Sequence, residues 1–400
     1  MDKILYMIFI ASIMVGNGLY FGPCTIRQYC AIFFFIYLIH TVVGKKQYLF
    51  NKYSQLVIPY LIFILLYGVS SILSGSFIVY LKQLIALYTV AILAYYSTII
   101  ITNKYHTLNF FLNSFIFVGL INAIVNIMQY FGMSIGYTVG ALFIDLNDLS
   151  KFAQFQHMIQ GDRANTFGIM GDIVYNGYYS MILPFALLMR YQNKNDIFKL
   201  SIVAFSLISL FVVGERSSFG ITFILLVYYL FKRYKKSPIL VFAVIILFSL
   251  ALFYIADFIN SDIIQDSRWI SSESNIRDNI NNAILPFISN NLIIGNLAGF
   301  IKLTGFPPHN VIASGFIYAG LIGGCIVIYI LGIQMLKSMQ VLKSKKYLLI
   351  TLAFIAYTLN GLFHNPAIVT GDAMVWILWA FVVCAYKSLK NPNNIIYVSK

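Results

Sequence analysis

The residues best equipped for chemistry in this chain lie in two short stretches, Gly214-Glu215-Arg216-Ser217-Ser218 and Pro308-His309-Asn310. A guanidinium offers five N–H donors in a rigid fork, a shape suited to a diphosphate, so Arg216 is a candidate anion ligand. Histidine accepts and returns a proton near neutral pH, which makes His309 a candidate base. Asn310 is placed to orient it or to bind a sugar hydroxyl. Glu215 is a second candidate base, or a partner that positions Arg216. A further guanidinium, Arg163, sits in Asp162-Arg163-Ala164-Asn165-Thr166-Phe167-Gly168. Each residue also has a plainer role. Arg216 can snorkel to lipid headgroups or pair with Glu215, Arg163 can pair with Asp162, and His309 can cap a helix start. His364-Asn365-Pro366 repeats the His-Asn pair and shows how readily such dipeptides occur.

Apolar sequence surrounds these stretches. The chain is 60% hydrophobic and 10% charged, far from the composition of a soluble domain. A helix crosses the hydrocarbon with about 20 apolar residues. Runs of this kind occur near 4–20, 28–43, 57–73, 83–101, 108–132, 173–189, 198–213, 219–231, 239–256, 311–335, 347–363 and 373–386. The expected fold is therefore all-α: one polytopic membrane domain over 1–400 with about twelve transmembrane helices. Barrel strands would alternate, and these runs do not. The first run lacks a small-x-small cleavage site and is expected to be retained.

Charge orients the spans. With both termini inside, nineteen of the 27 Lys and Arg fall on the inner side, and eleven of the 13 acidic residues fall outside. That is the positive-inside bias of membrane insertion, and it accounts for the net charge of +14 without a nucleic-acid partner. The lipid bilayer is the partner it implies. Two outer connections, 133–172 and 257–310, are unusually long, and long loops are often functional. In the second, Ile276, Ile280, Ala283, Ile284 and Phe287 follow helical spacing, with Arg277, Asp278, Asn281 and Asn282 opposite. A short surface helix is expected there, capped by Ser272 or Ser274 and kinked or ended by Pro286. Arg277 joins the candidates for substrate binding. Cys24, Cys30, Cys325 and Cys384 are scattered, so no metal site is expected, and a Cys24–Cys30 disulfide is not expected because Cys30 already begins a span.

Arg163, Arg216 and His309 all fall on the outer side, each at the mouth of a span. In this order and placement the chain resembles the O-antigen polymerase and O-antigen ligase superfamily, whose members are integral-membrane glycosyltransferases. The stretches that carry the resemblance are Arg163-Ala164-Asn165-Thr166-Phe167-Gly168, Arg216-Ser217-Ser218 and Pro308-His309-Asn310. Asn291-Leu292-Ile293-Ile294-Gly295-Asn296 and Gly320-Leu321-Ile322-Gly323 extend it, and together they span roughly 160–335. Glu215 stands where the family often has a small residue, and Gly295-Asn296 lacks a second glycine often seen there. The resemblance implies transfer of an undecaprenyl-diphosphate-linked oligosaccharide at the periplasmic face of a bacterial inner membrane, without metal or cofactor. Arg163 and Arg216 would hold the diphosphate, and His309 would orient or deprotonate the attacking hydroxyl. Polymerisation of repeat units is the expected reaction, with a chain-length regulator protein as a further partner. Transfer to lipid A core by a ligase is the alternative within the superfamily. From another class, a lipid-linked oligosaccharide flippase also suits twelve spans, but it would place ionisable residues near mid-membrane.

Overall fold

The computed structural model describes residues 2–15, 20–21, 24–45, 55–144, 155–156, 159, 166–233, 274–364 and 368–390. The described residues are helical apart from turns, short connections and a two-residue hairpin ladder, Tyr20–Phe21 with Cys24–Thr25. In chain order the helices are α1 (Asp2–Val15), α2 (Ile26–Lys45), α3 (Val57–Leu73), α4 (Phe77–Gln83), α5 (Thr89–Tyr105) and α6 (Asn109–Tyr130). Then come α7 (Ser134–Ala141), α8 (Ile173–Arg190), α9 (Asp196–Val212), α10 (Arg216–Arg233) and α11 (Ser274–Asn290). Last are α12 (Leu297–Thr304), α13 (Val311–Val341), α14 (Leu348–Asn360) and α15 (Ala373–Lys390). A π turn, Leu84–Tyr88, joins α4 to α5, so that Phe77–Tyr105 is continuous.

Four of these segments are long and apolar enough to cross a membrane: Phe77–Tyr105, Asn109–Tyr130, Val311–Val341 and Ala373–Lys390. Helix α3 shows the matching surface chemistry. Its exposed positions are Ile58, Leu61, Ile62, Leu65, Val69 and Ile72, while Tyr60, Phe63, Tyr67, Ser70 and Ser71 are buried. The more aliphatic face points outward and the hydroxyls point inward, which suits hydrocarbon and not water. Helix α15 is buried on every face, with Trp376 and Trp379 nearly inaccessible, and it packs against α5, α13 and α14.

Contacts between elements join helix ends that the charge pattern groups together. Lys104 pairs with Asp2, and Lys199 and Arg233 meet Asp196, all at ends read as inner. At the other end Arg27 donates to the Ala86 carbonyl within the π turn, and Tyr357 donates to Asp372.

The two long connections contain more helix than their sequences predict. Helix α7 forms in the first and α12 in the second, and neither stands out by periodicity in so short a run. Pro286 lies inside α11 and does not end it. The carbonyl that proline deprives of a partner belongs to Asn282, which is exposed and can be solvated. Helix α11 packs on α12 and α13, with Phe287 edge-on to Phe300 at 5.2 Å. Ser272 and the apolar run 239–256 lie outside the described residues.

Helix α13 is broken at Ala319–Gly320, where Gly320 adopts φ 67°. The segment after α11 fills the break: Leu321 N–H donates to Leu292 O at 2.7 Å, and Ser70 Oγ donates to Gly295 O at 2.8 Å. A Cβ on Gly320 would sit 2.3 Å from Ile293 O, and one on Gly295 would sit 2.5 Å from Ile317 O. The approach is backbone to backbone, so both positions require glycine. The Asn291–Asn296 and Gly320–Gly323 motifs are two halves of one joint.

Candidate functional site

A buried amide network sets the first wall of the site. Asn122, Asn126 and Gln129 recur on one face of α6, and Asn176 and Ser180 recur on α8. Asn122 Nδ2 donates to Asn176 Oδ1 at 2.7 Å, and Asn176 Nδ2 donates to Asn126 Oδ1 at 2.8 Å and to Thr166 O at 2.7 Å. The remaining acceptors grip the chain just before α8. Phe167 and Gly168 N–H donate to Gln129 Oε1, and Ile169 N–H donates to Asn122 Oδ1. Thr166 Oγ1 donates to Asn126 Oδ1 at 3.0 Å. A buried network with its donors and acceptors matched is rigid, because in a low dielectric an unmatched group is costly. It holds the segment that follows Arg163.

The start of α10 forms the second wall. The Glu215 carbonyl accepts the N–H of Phe219, which makes Glu215 the residue that opens the helix. Its carboxylate turns inward and meets His364 Nε2 at 2.7 Å, and both residues are 3% exposed. The His364 ring lies edge-on to Tyr178, with centroids 6.4 Å apart. Asn360, the last residue of α14, ties down the next two positions: Ser217 Oγ donates to its Oδ1 at 2.7 Å, and its Nδ2 donates to Ser218 Oγ at 2.9 Å. Gly177 on α8 makes room for this, since a Cβ there would lie 2.8 Å from Glu215 Cγ and 3.2 Å from Ser218 Oγ. Between these anchored neighbours Arg216 is exposed. A cation in the first turn opposes the helix dipole, so it is not there to stabilise α10.

The turn after α14 also holds the start of α13. Val311 N–H donates to Gly361 O at 2.9 Å, and Asn310 Nδ2 donates to Leu362 O at 3.1 Å. Asn310 Oδ1 accepts the N–H groups of Ile312 and Ala313, so Asn310 is the N-cap of α13. His309, next to it, is half-buried. Residues 360–364 therefore bridge the two stretches, Glu215–Ser218 on one side and Asn310–Val311 on the other. Replacing Asn310 with alanine removes both cap acceptors and the tether to Leu362. A loss of about 1–2 kcal/mol is expected, seen as a lower unfolding temperature in detergent. Asn310→Asp keeps the cap acceptor and should recover part of it.

A second buried group lies near this wall. Asp372 caps α15 through Met374 N–H and accepts from Tyr357. Burial pushes its carboxyl above the ordinary carboxylate range, against the pull of those donors and of the Arg27 charge. Tyr178 links the two groups through its ring, which packs against Tyr357 at 4.7 Å and against His364 at 6.4 Å.

Arg163 and the Arg277 side chain lie outside the described residues, as do Asp162 and Asn365. Glu215 faces His364, a residue 149 positions away, and not its neighbour Arg216, the partner its sequence position suggests. Asn360 and the α6–α8 amides are further polar residues of the site that no motif in the sequence marks. For the α6 amides a signal exists in the i, i+4, i+7 spacing of Asn122, Asn126 and Gln129, within the apolar stretch that begins at Phe115. Cys30, Cys325 and Cys384 are free thiols. Among the described residues no group of three His, Cys, Asp or Glu side chains could hold a metal ion. Compared with family models, with curated proteins and with solved structures, the chain finds no match in any of the three.

Proposed function

We propose that this chain is a membrane glycosyltransferase that polymerises lipid-linked repeat units of a surface polysaccharide. The observation that carries the reading is the joining of the Glu215–Ser218 and Pro308–Asn310 stretches by residues 360–364. An exposed guanidinium on a helix N-terminus adds its charge to that of the free N–H groups, which favours an anion such as a diphosphate. The half-buried imidazole of His309 belongs to the stretch tied to the same turn.

In this reading about twelve spans cross a bacterial inner membrane with both termini cytoplasmic, and the site opens to the periplasm. The donor is the growing glycan on undecaprenyl diphosphate, and the acceptor is the next lipid-linked unit. An acceptor hydroxyl oxygen attacks the anomeric carbon, and the bond from that carbon to the diphosphate oxygen breaks. His309 takes the hydroxyl proton, and undecaprenyl diphosphate leaves with the bonding electrons. Arg216, with Arg163, neutralises the charge that grows on the leaving group, and Arg277 and Asn310 contribute to substrate binding. Preorganised donors of this kind act most strongly where water is excluded.

Deletion of the gene, followed by electrophoresis of surface glycan, tests the reaction. Polymerase loss leaves single repeat units on the lipid A core. A bare core, with long chains accumulating on undecaprenyl diphosphate, would assign the chain to ligation. An unchanged ladder of chain lengths would remove it from this chemistry.

A further inference from the structure

We infer that His364 and Glu215 form a positioning pair that sets the direction of Arg216. The inference rests on the proposed transfer reaction and adds to it two residues that act without touching substrate. Both are 3% exposed, too deeply set to reach a glycan or a diphosphate, and Glu215 immediately precedes the exposed Arg216.

The geometry gives the pair its task. Successive residues in the first turn of a helix point about 100° apart. Glu215 and Ser218 both face the core, and Arg216 lies about 100° from one and about 200° from the other, so holding them inward turns Arg216 outward. Three contacts set this rotation. Glu215 Oε2 meets His364 Nε2 at 2.7 Å, Ser217 and Ser218 bond Asn360, and the Cβ–Cγ stem of Glu215 rests where Gly177 lacks a side chain. A buried carboxylate that loses its imidazole contact is less well held there and is drawn toward water, beside Arg216. There it would neutralise the guanidinium that the diphosphate needs. His364 thus keeps the carboxylate away from the arginine and keeps the arginine at the rim. Tyr178, edge-on to the imidazole, flanks it from α8.

A cycle of variants decides the matter, using full-length protein in lipid nanodiscs with lipid-linked repeat unit as substrate. H364A should slow polymerisation by about tenfold to a hundredfold, the range a small misplacement of a catalytic group produces. In the R216A background the same change should cost less than about twofold, because the residue it acts through is gone. A side chain needed only for the fold would slow both backgrounds alike, and that result would overturn the inference. So would an H364A protein that polymerises at the rate of the unaltered one. Should H364A fail to accumulate, E215M runs the same cycle, filling the seat beside Gly177 while severing the contact. If R216A itself leaves polymerisation unchanged, the reaction assigned to this site fails. If R216A abolishes it while H364A and E215M do not slow it, only the positioning pair fails.

Discussion

Replacing Arg216 with alanine is expected to remove the ladder of chain lengths while leaving the protein in the membrane at its normal level. The two halves of this expectation have separate causes. Arg216 is exposed at the start of α10 and packs into no core, so its truncation opens no cavity. Its charge also opposes the helix dipole, and removing it costs the helix nothing, with a gain of a few tenths of a kcal/mol in prospect. The rate should fall by about a hundredfold to a thousandfold, as when one preorganised donor to a developing anion is deleted. Arg216→Lys keeps the charge but loses the fork, and should recover only part of the rate. Polymerisation of lipid-linked repeat unit by purified protein gives the numbers, and membrane blots give the level. An unaltered ladder from R216A would separate this residue from the chemistry.

What could be read in the sequence follows from what a bilayer demands. A span must be apolar for about 20 residues, so segments such as Asn109–Tyr130 and Val311–Val341 announce themselves. Helices that lie in the loops answer to no such rule. Helices α7 and α12 are eight residues each, and over that length helical and irregular apolar sequence look alike. Tertiary pairing is hidden for a different reason. Glu215 and His364 meet only because α10 and α14 pack side by side, and nothing local to His364 sets it apart from His309. The glycine motifs were visible as motifs, but their purpose was not. Gly295 reads as part of an outer connection and Gly320 as part of a span, until their backbones are seen to touch.

The largest effect on stability is expected at Gly168, where alanine should prevent accumulation of the protein or lower its unfolding temperature by several degrees. Gly168 has φ 56°, a left-handed backbone that costs an alanine about 1 kcal/mol or more. The added Cβ would lie 2.0 Å from Asn122 Oδ1 and 2.6 Å from Asn126 Oδ1. Neither amide can yield without breaking other bonds. Asn122 holds Ile169 N–H and Asn176, and Asn126 holds Thr166 and Asn176. Each buried group left without a partner costs about 1–3 kcal/mol, so displacing one asparagine strands several. Gly220→Ala serves as the control, because no atom lies within 4 Å of its added Cβ, and it should leave stability near the starting value. The two substitutions add the same methyl group, so a difference between them measures the left-handed backbone and the amide network together, and the part beyond the backbone cost of about 1 kcal/mol belongs to the network. If the proposed function holds, any G168A protein that survives should polymerise poorly, since the displaced segment begins three residues after Arg163. A G168A protein that melts with the unaltered one would show that the network does not hold this wall.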